Sequence, residues 1–361
     1  MNIFISAGDV SGEMHAANLA AAIKRTDKQI HIAALGGSRL KAIADDFIYD
    51  LTSLSAFGFW QPIKQYFFLK NLLREKVLSQ WDSNPPDKVI LVDYYGLNIY
   101  LAEQASRRRI PVYYFVSPQV WASRKGRIKK LAKYVKKMLV VLPFEEELYR
   151  KAGVDAVFVG HPLLDMVPAN SNNQVSDNTP PVIGLFPGSR RNVVVKHLPI
   201  LEAAAVRIMA QIPCKFRIFA PPNIADEFKS ANYRMVTENG YEERSKLSLA
   251  ITTSGTVSLE NALLGLPMIV MYKLSRFNYW VAKILVKIKY ITMANILLEK
   301  PVVPELIQND ATPEKIAEAA VKLLTDRAAY ALMKQELLSI RKVLGNPGVS
   351  DRAANIILND R

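Results

Sequence analysis

A carboxylate placed directly after a run of apolar strand residues is costly to bury unless the position has a use. Asp93 is such a residue, standing after Lys88-Val89-Ile90-Leu91-Val92. Its chemistry suits a general base that takes a proton from an attacking hydroxyl, although a turn or helix cap would use the same side chain. Four other segments have something to offer. In Ser6-Ala7-Gly8-Asp9-Val10-Ser11-Gly12-Glu13 the glycines Gly8 and Gly12 permit a tight turn. The helix that follows presents free N–H groups to an anion or a sugar hydroxyl, with Ser11 and Glu13 beside them. An ordinary turn capped by Asp9 or Ser11 has the same composition. Ser117, Pro118 and Trp121 follow another apolar run, where an exposed indole would shape a sugar pocket and a packed one would not. Gly188-Ser189-Arg190 offer backbone donors and a planar guanidinium suited to a phosphate. Ser254-Gly255-Thr256 open a helix that carries Glu260 on its second turn. A diphosphate at that helix start, with Glu260 accepting from ribose hydroxyls, is one reading, and a plain N-capped helix is the other.

These positions follow short apolar runs that alternate with helix-length segments. Asn2–Ala7, Ile30–Leu35, Lys88–Val92, Val112–Val116 and Met138–Leu142 read as strands of a first parallel sheet. Val182–Phe186, Lys215–Ala220, Leu249–Thr252 and Met268–Tyr272 read as strands of a second. Ligands of such sheets bind beyond the carboxyl ends of the strands, where all five segments lie. The chain has 361 residues, more than one hydrophobic core usually fills. The fold class predicted is α/β, with two Rossmann-like domains and a cleft between them. The first spans 1–166, a polar linker rich in Asn, Ser and Pro spans 167–181, and the second domain spans 182–325. A helical tail, 326–361, is expected to pack back on the first domain or to exchange with a partner chain.

What is missing narrows the chemistry. The sequence contains no Asp-x-Asp, no Gly-x-x-x-x-Gly-Lys and no Gly-x-Gly-x-x-Gly, and its four histidines lack metal-ligand spacing. The expectation is a reaction without metal or cofactor, in which helix termini and arginine stabilise a leaving diphosphate. Cys214 is the only cysteine, which excludes an intramolecular disulfide and fits a reducing cytoplasm. Met1 leads straight into a strand pattern and no apolar run reaches about 18 residues, so neither a signal peptide nor a membrane span is expected. Lys and Arg outnumber Asp and Glu by 47 to 33, a net charge of +14 that attracts anionic partners. Between Phe57 and Arg74, Phe59, Trp60, Phe67 and Phe68 are interspersed with cations in the manner of an interfacial segment, a core helix being the alternative. Basic residues also cluster at Arg107–Arg109 and from Arg124 to Lys137. An anionic bilayer accounts for both features, whereas RNA accounts only for the second.

Taken in order, several segments together resemble the lipid-A-disaccharide synthase family, inverting glycosyltransferases of the two-Rossmann (GT-B) type. They are Ala7–Glu13, Val92–Asn98, Val116–Ala122, Leu142–Glu145, Val159–Pro162, Pro187–Arg190, Thr253–Glu260, Asn295–Leu297 and Pro304–Gln308. The resemblance implies transfer from UDP-2,3-diacylglucosamine to 2,3-diacylglucosamine 1-phosphate (lipid X), giving a β-1,6-linked disaccharide and UDP. It puts the nucleotide on the second domain and the acceptor on the first. Asp93 becomes the base and Arg190 a residue near the diphosphate, the two meeting across the cleft, and Asn295 and Gln308 also match site positions. The setting implied is the inner face of a Gram-negative cytoplasmic membrane, held peripherally, with no nucleic acid partner; a homodimer through the tail is what the exchanged alternative would give. Two departures stand out. Val193 occupies a position where the family commonly has Glu, and Asp9 and Glu13 exchange the acidic types frequent there.

Overall fold

The computed structural model describes residues 1–52, 68–123, 126–169, 180–225, 228, 230, 233–237, 240–275, 279–280 and 288–360. Phe59, Trp60 and Phe67, most of the linker and Arg124 lie outside the described residues. The chain forms two compact units, Met1–Asp165 with Leu344–Arg361, and Met166–Val343.

The first unit is built on a seven-stranded parallel sheet of order β3-β2-β1-β4-β5-β6-β7. Its strands are β1 (Asn2–Ala7), β2 (His31–Gly36), β3 (Asp46–Asp50), β4 (Lys88–Val92), β5 (Val112–Phe115), β6 (Lys137–Val140) and β7 (Ala156–Phe158). The second unit carries six parallel strands in the order β10-β9-β8-β11-β12-β13. These are β8 (Val182–Phe186), β9 (Lys215–Phe219), β10 (Arg234–Val236), β11 (Leu249–Thr252), β12 (Met268–Tyr272) and β13 (Glu305–Ile307). Central strands such as β4, β5 and β11 are buried almost throughout. A parallel sheet has both faces covered by its crossover helices, and so its central strands are nearly unbroken apolar runs.

Four strands have no such run in the sequence, and all four are sheet edges. They are β3, β7, β10 and β13, with sequences as short or as polar as Asp-Phe-Ile-Tyr-Asp and Glu-Leu-Ile. An edge strand has one neighbour and less cover, so it needs less apolar material. Three strand ends also fall short of the expected ones. β5 stops at Phe115 because Val116 turns into the left-handed region, at φ 57°, β6 stops at Val140 and β9 at Phe219.

The stretch taken from sequence as one tail divides at Leu344. The helix Arg327–Val343 belongs to the second unit, where Arg341 donates to the Leu263 carbonyl at 2.9 Å. The helix Val349–Asn359 lies on the helix Val10–Thr26 of its own chain and buries Val349, Ala353, Ala354 and Ile357. Both of its ends are tied to the first unit. The Asp165 carboxylate accepts from the N–H groups of Val349 and Ser350, each at 3.2 Å, where the helix start has donors without intrahelical partners. At the other end the Lys88 ammonium donates to the Asp360 carbonyl at 2.9 Å, a cation at the negative end of the helix dipole.

Ile357 is fully buried in this docking face. Ile357→Ala is therefore expected to destabilise the first unit by about 2–4 kcal/mol, the usual range for truncating a core isoleucine. Urea unfolding followed by circular dichroism measures it, and a loss below about 0.5 kcal/mol would mean that the helix docks without stabilising the unit.

Candidate active site

In both sheets the strand order reverses beside the first strand, between β1 and β4 and between β8 and β11. The loops that follow these four strands are the ones in which the sequence places Gly8–Glu13, Asp93, Gly188–Arg190 and Ser254–Thr256. A reversal of this kind sends adjacent loops to opposite faces and leaves a crevice at the carboxyl edge.

In the first unit Asp93 and Tyr94 both have left-handed backbones, at φ 47° and 39°. Several backbone polar groups of this turn are held. The Asp93 N–H donates to the carbonyl of Val116 at 3.1 Å and to that of Phe115 at 3.3 Å. The Tyr114 hydroxyl donates to the Asp93 carbonyl, which also accepts from the Asn98 amide at 3.0 Å. Asn98 is itself fixed by the Ser6 hydroxyl, 2.8 Å from its oxygen. Gly8 has to be glycine, since a Cβ there would lie 2.1 Å from the Tyr94 ring. In the first loop Asp9 caps the helix by accepting from Gly12 N–H at 2.6 Å, as one of the two sequence readings has it. Ser11 sits in the first turn of that helix, and Glu13 is buried with its carboxylate accepting from Leu40 N–H at 2.7 Å. Burial, and after it the neighbouring Asp9 carboxylate, push the Asp93 carboxyl up to about 7 against the opposing hydrogen bond from Tyr94 N–H.

Ser117 is buried and donates to Glu145 at 2.6 Å. The Trp121 indole is half-buried rather than exposed, its N–H 3.1 Å from the same Glu145 oxygen and its ring edge-on to Phe144 at 5.1 Å. Glu145 is the residue of this group that the sequence reading left out of the site, although it ends the quoted Leu142–Glu145 motif. A glutamate within an apolar strand-to-helix junction was the available signal. Of the aromatic segment, Phe68 is described, 46% exposed and edge-on to Tyr49. Among the basic residues Arg107 pairs with Glu103, Arg108 with Asp82, and Arg127 stacks over Tyr95 at 4.3 Å, while Lys129, Lys130 and Lys133 are exposed.

In the second unit Gly188 takes φ 119°, which disfavours any side chain, and packs against Val193. Ser189 and Arg190 are exposed at the start of the helix Arg191–Met209. His197 on that helix is buried, with Nδ1 3.2 Å from the Pro187 carbonyl and Nε2 accepting from Lys273 N–H at 3.0 Å, so it ties the loop after β8 to the end of β12. Gly255 precedes the helix Thr256–Leu263, and the Ser254 hydroxyl donates to Ile291 at 2.6 Å. Glu260 is already engaged. Its carboxylate pairs with Arg244 at 2.6 Å and accepts from the Tyr241 hydroxyl at 3.2 Å, and Arg244 lies over the Phe186 ring. Sequence reading missed His197, Arg244 and Tyr241 because nothing local in the sequence links them to the loops that they brace. Asn295 is buried, with its amide spent on Val303 and Glu305, and Gln308 accepts from Leu274 N–H at 2.8 Å. Both therefore shape the loops around them through their side chains.

Comparison with known proteins gives the family and the fold. The family model described as lipid-A-disaccharide synthetase matches residues 3–357. The lipid-A-disaccharide synthase of Syntrophus aciditrophicus is 36% identical over 99% of this chain and 97% of its own length. That of Geobacter metallireducens is 35% identical over 99% and 96%. Among solved structures, the UDP complex of MnaA from S. aureus superposes with a TM-score of 0.68 at 14% identity, covering 99% of this chain and 95% of that one. The calicheamicin glycosyltransferase CalG4 does so with a TM-score of 0.62 at 16% identity, covering 99% and 97%. At such identities the structural likeness concerns the fold, that of two Rossmann-like domains.

An ionised Asp93 costs the first unit stability. Its folded carboxyl holds a proton up to about 7, while in the unfolded chain it ionises in the ordinary range near 4. The folded state thus binds the extra proton between those values, and this group's stabilising effect is lost as pH rises through the window. Asp93→Asn is expected to be more stable than the native chain at pH 8 by about 1–3 kcal/mol and indistinguishable from it at pH 4. Chemical unfolding at the two pH values tests this, and an equal effect at both would remove the buried charge as its cause.

Proposed function

The chain belongs to the lipid-A-disaccharide synthase family, and we propose that Asp93 and Arg190 carry the transfer by which it joins two acylated glucosamines. It is a glycosyltransferase that forms the lipid A disaccharide. The donor proposed is UDP-2,3-diacylglucosamine and the acceptor 2,3-diacylglucosamine 1-phosphate. The acceptor hydroxyl attacks the anomeric carbon in line, its proton passes to Asp93, and the bond from that carbon to the diphosphate oxygen breaks with its electron pair leaving on UDP. A single displacement of this kind inverts the anomeric centre. The observation that carries the reading is the Asp93 carboxyl, raised to about 7 and set in a turn whose N–H and carbonyl are both hydrogen-bonded. A base works best when its proton affinity lies near the working pH.

The leaving diphosphate is assigned to the second unit. Exposed Arg190 supplies a guanidinium, and Thr256 opens a helix whose dipole places partial positive charge at that end. Gly188, Ser189, Ser254 and Gly255 give those two loops their shape. We assign Glu260, held by Arg244 and Tyr241, to the nucleoside end, where a ribose hydroxyl would add to a carboxylate already placed. Cations and dipoles in these positions take over charge that develops on a diphosphate, so the reaction is proposed to need no metal.

The acyl chains make a lipid surface the natural place of work. Supporting this are exposed Phe68, the cations Lys129, Lys130 and Lys133, and, in the second unit, Trp280, which is 62% exposed. Among the described residues no helix is long and apolar enough to cross a membrane. The proposal is peripheral attachment to the anionic inner face of the cytoplasmic membrane.

The deciding assay is a single turnover with donor and acceptor in detergent and EDTA, in which UDP and disaccharide are followed by mass spectrometry. Disaccharide is expected under chelation, with kcat/KM rising to a plateau above pH 7. Asp93→Asn should lower turnover by about 10²–10⁴-fold and Arg190→Ala by about 10²–10³-fold. Near-native turnover of Asp93→Asn would sink the base assignment, and dependence on an added divalent cation would sink the metal-free one. Replacing Phe59, Trp60, Phe67 and Phe68 by Ser is expected to release the protein from phosphatidylglycerol vesicles in flotation. Undiminished flotation would move the contact elsewhere.

A further inference from the structure

We propose that Glu145 is the positioning residue of Asp93: it fixes the turn 116–121, and that turn in its place fixes the backbone of the base. The proposal rests on the reading of Asp93 as base and adds a residue which that reading does not require.

Glu145 lies in the first turn of the helix Pro143–Arg150 and is 1% exposed. A carboxylate so placed is costly unless donors meet it. One oxygen accepts from Leu142 N–H at 3.2 Å, which is half of a capping box and would suffice for the helix alone. The other oxygen reaches away from the helix and accepts from two side chains of a different loop, the Ser117 hydroxyl at 2.6 Å and the Trp121 indole at 3.1 Å. The same helix holds that loop a second time through the hydroxyl of fully buried Tyr149, which donates to the Pro118 carbonyl at 3.3 Å.

The loop held in this way begins at Val116, a β-branched residue in the left-handed region. Such a backbone persists only where its surroundings impose it. The Val116 carbonyl then accepts the N–H of Asp93, itself left-handed. The chain of contacts runs from Glu145 through Ser117 and Val116 to the base, one link at a time. Burial pushes the Glu145 carboxyl up to about 7 even against its donors, so its position is maintained at a cost to the fold. Since every atom bonded to Glu145 belongs to this scaffold, its effect on the reaction passes through Asp93.

The Leu142 N–H and the Trp121 indole can only donate, so Glu145→Gln sets an NH₂ against one of them and breaks that link at nearly constant shape. Ser117→Ala breaks the link from the other side and leaves the buried carboxylate its remaining donors. Each variant is expected to lower kcat by about 10- to 100-fold, as for a reacting group displaced by about an ångström, with KM for UDP-diacylglucosamine within about twofold. The acid limb of kcat/KM reports Asp93, which is faced by Asp9 from the first loop, Tyr94 from its own turn and Tyr114 from β5. It is expected to move down by about one pH unit as the loosened turn admits water. The double variant should be no slower than the slower single one, because both cut the same chain. Asp93→Asn is run in parallel. If that variant keeps near-native turnover, the base reading falls. If it is inactive while Glu145→Gln or Ser117→Ala keeps kcat within about twofold, or the two losses multiply, the positioning role is overturned with the base reading intact. Should Glu145→Gln fail to fold, the kcat and acid limb of Ser117→Ala decide alone.

Discussion

Asp93 and Tyr94 occupy the left-handed region one after the other, and much of the first unit's carboxyl edge follows from keeping them there. Left-handed backbone costs a non-glycine residue about 1–2 kcal/mol, so two in succession unwind unless neighbours bind the turn in its strained form. Those neighbours are specific. Asn98 is buried to hold two carbonyls, Tyr114 is fully buried to hold one of them, and Ser6 is buried to hold Asn98. Gly8 is bare because the Tyr94 ring fills the space of its side chain. Residues from β1, β4, β5 and the helix Tyr95–Arg107 are in this way committed to one dihedral choice.

The second unit solves a different problem with the same architecture. The anion site proposed for it needs donors that are not yet spoken for, and its loops spend their side-chain hydrogen bonds on one another. His197 braces the loop after β8, Gln308 the loop after β12, and Asn295 joins Val303 to Glu305. Ser189 and Arg190 are left exposed. Val193 fits this division. Where the resemblance implies a carboxylate, the chain places an apolar side chain against Gly188, which firms the turn by packing and adds no negative charge beside Arg190.

The sequence made the carboxyl-edge loops legible because central parallel strands are apolar on both faces and end in polar residues. Lys88–Val92 and Leu249–Thr252 announce themselves in that way. Edge strands such as Glu305–Ile307 carry no comparable pattern, since half of their surroundings are missing. Within the site, residue types that could do chemistry were visible, but which of them are spent on the scaffold was not. Glu13, Ser117, Trp121 and Glu260 look like ligand contacts in the sequence, and their hydrogen bonds to Leu40, Glu145 and Arg244 span 16 to 28 residues of sequence separation. Glu145 and His197 are hidden for the same reason. A buried polar residue is explained by its partners, and no local pattern names them.

Four buried ionisable groups of the first unit form two opposed pairs. Asp93 and Glu145 are both pushed up to about 7, mainly by burial, while His15 and His161 are pushed down by burial to about 4 and about 3. Between about pH 4 and 6.5 the folded chain therefore holds protons on the carboxyls that the unfolded chain releases. Over the same window the unfolded chain takes up protons on the histidines that the folded chain refuses. The two slopes have opposite signs, so the fold is buffered against pH as long as both pairs are intact. Above about 7 the histidines contribute their full stabilisation and the ionised carboxyls their full cost. That is the range in which Asp93 can accept a proton, so the role proposed for it would be carried at the expense of stability, as sites shaped for function commonly do. The histidine pair, packed edge-on at 6.2 Å, stays neutral throughout that range.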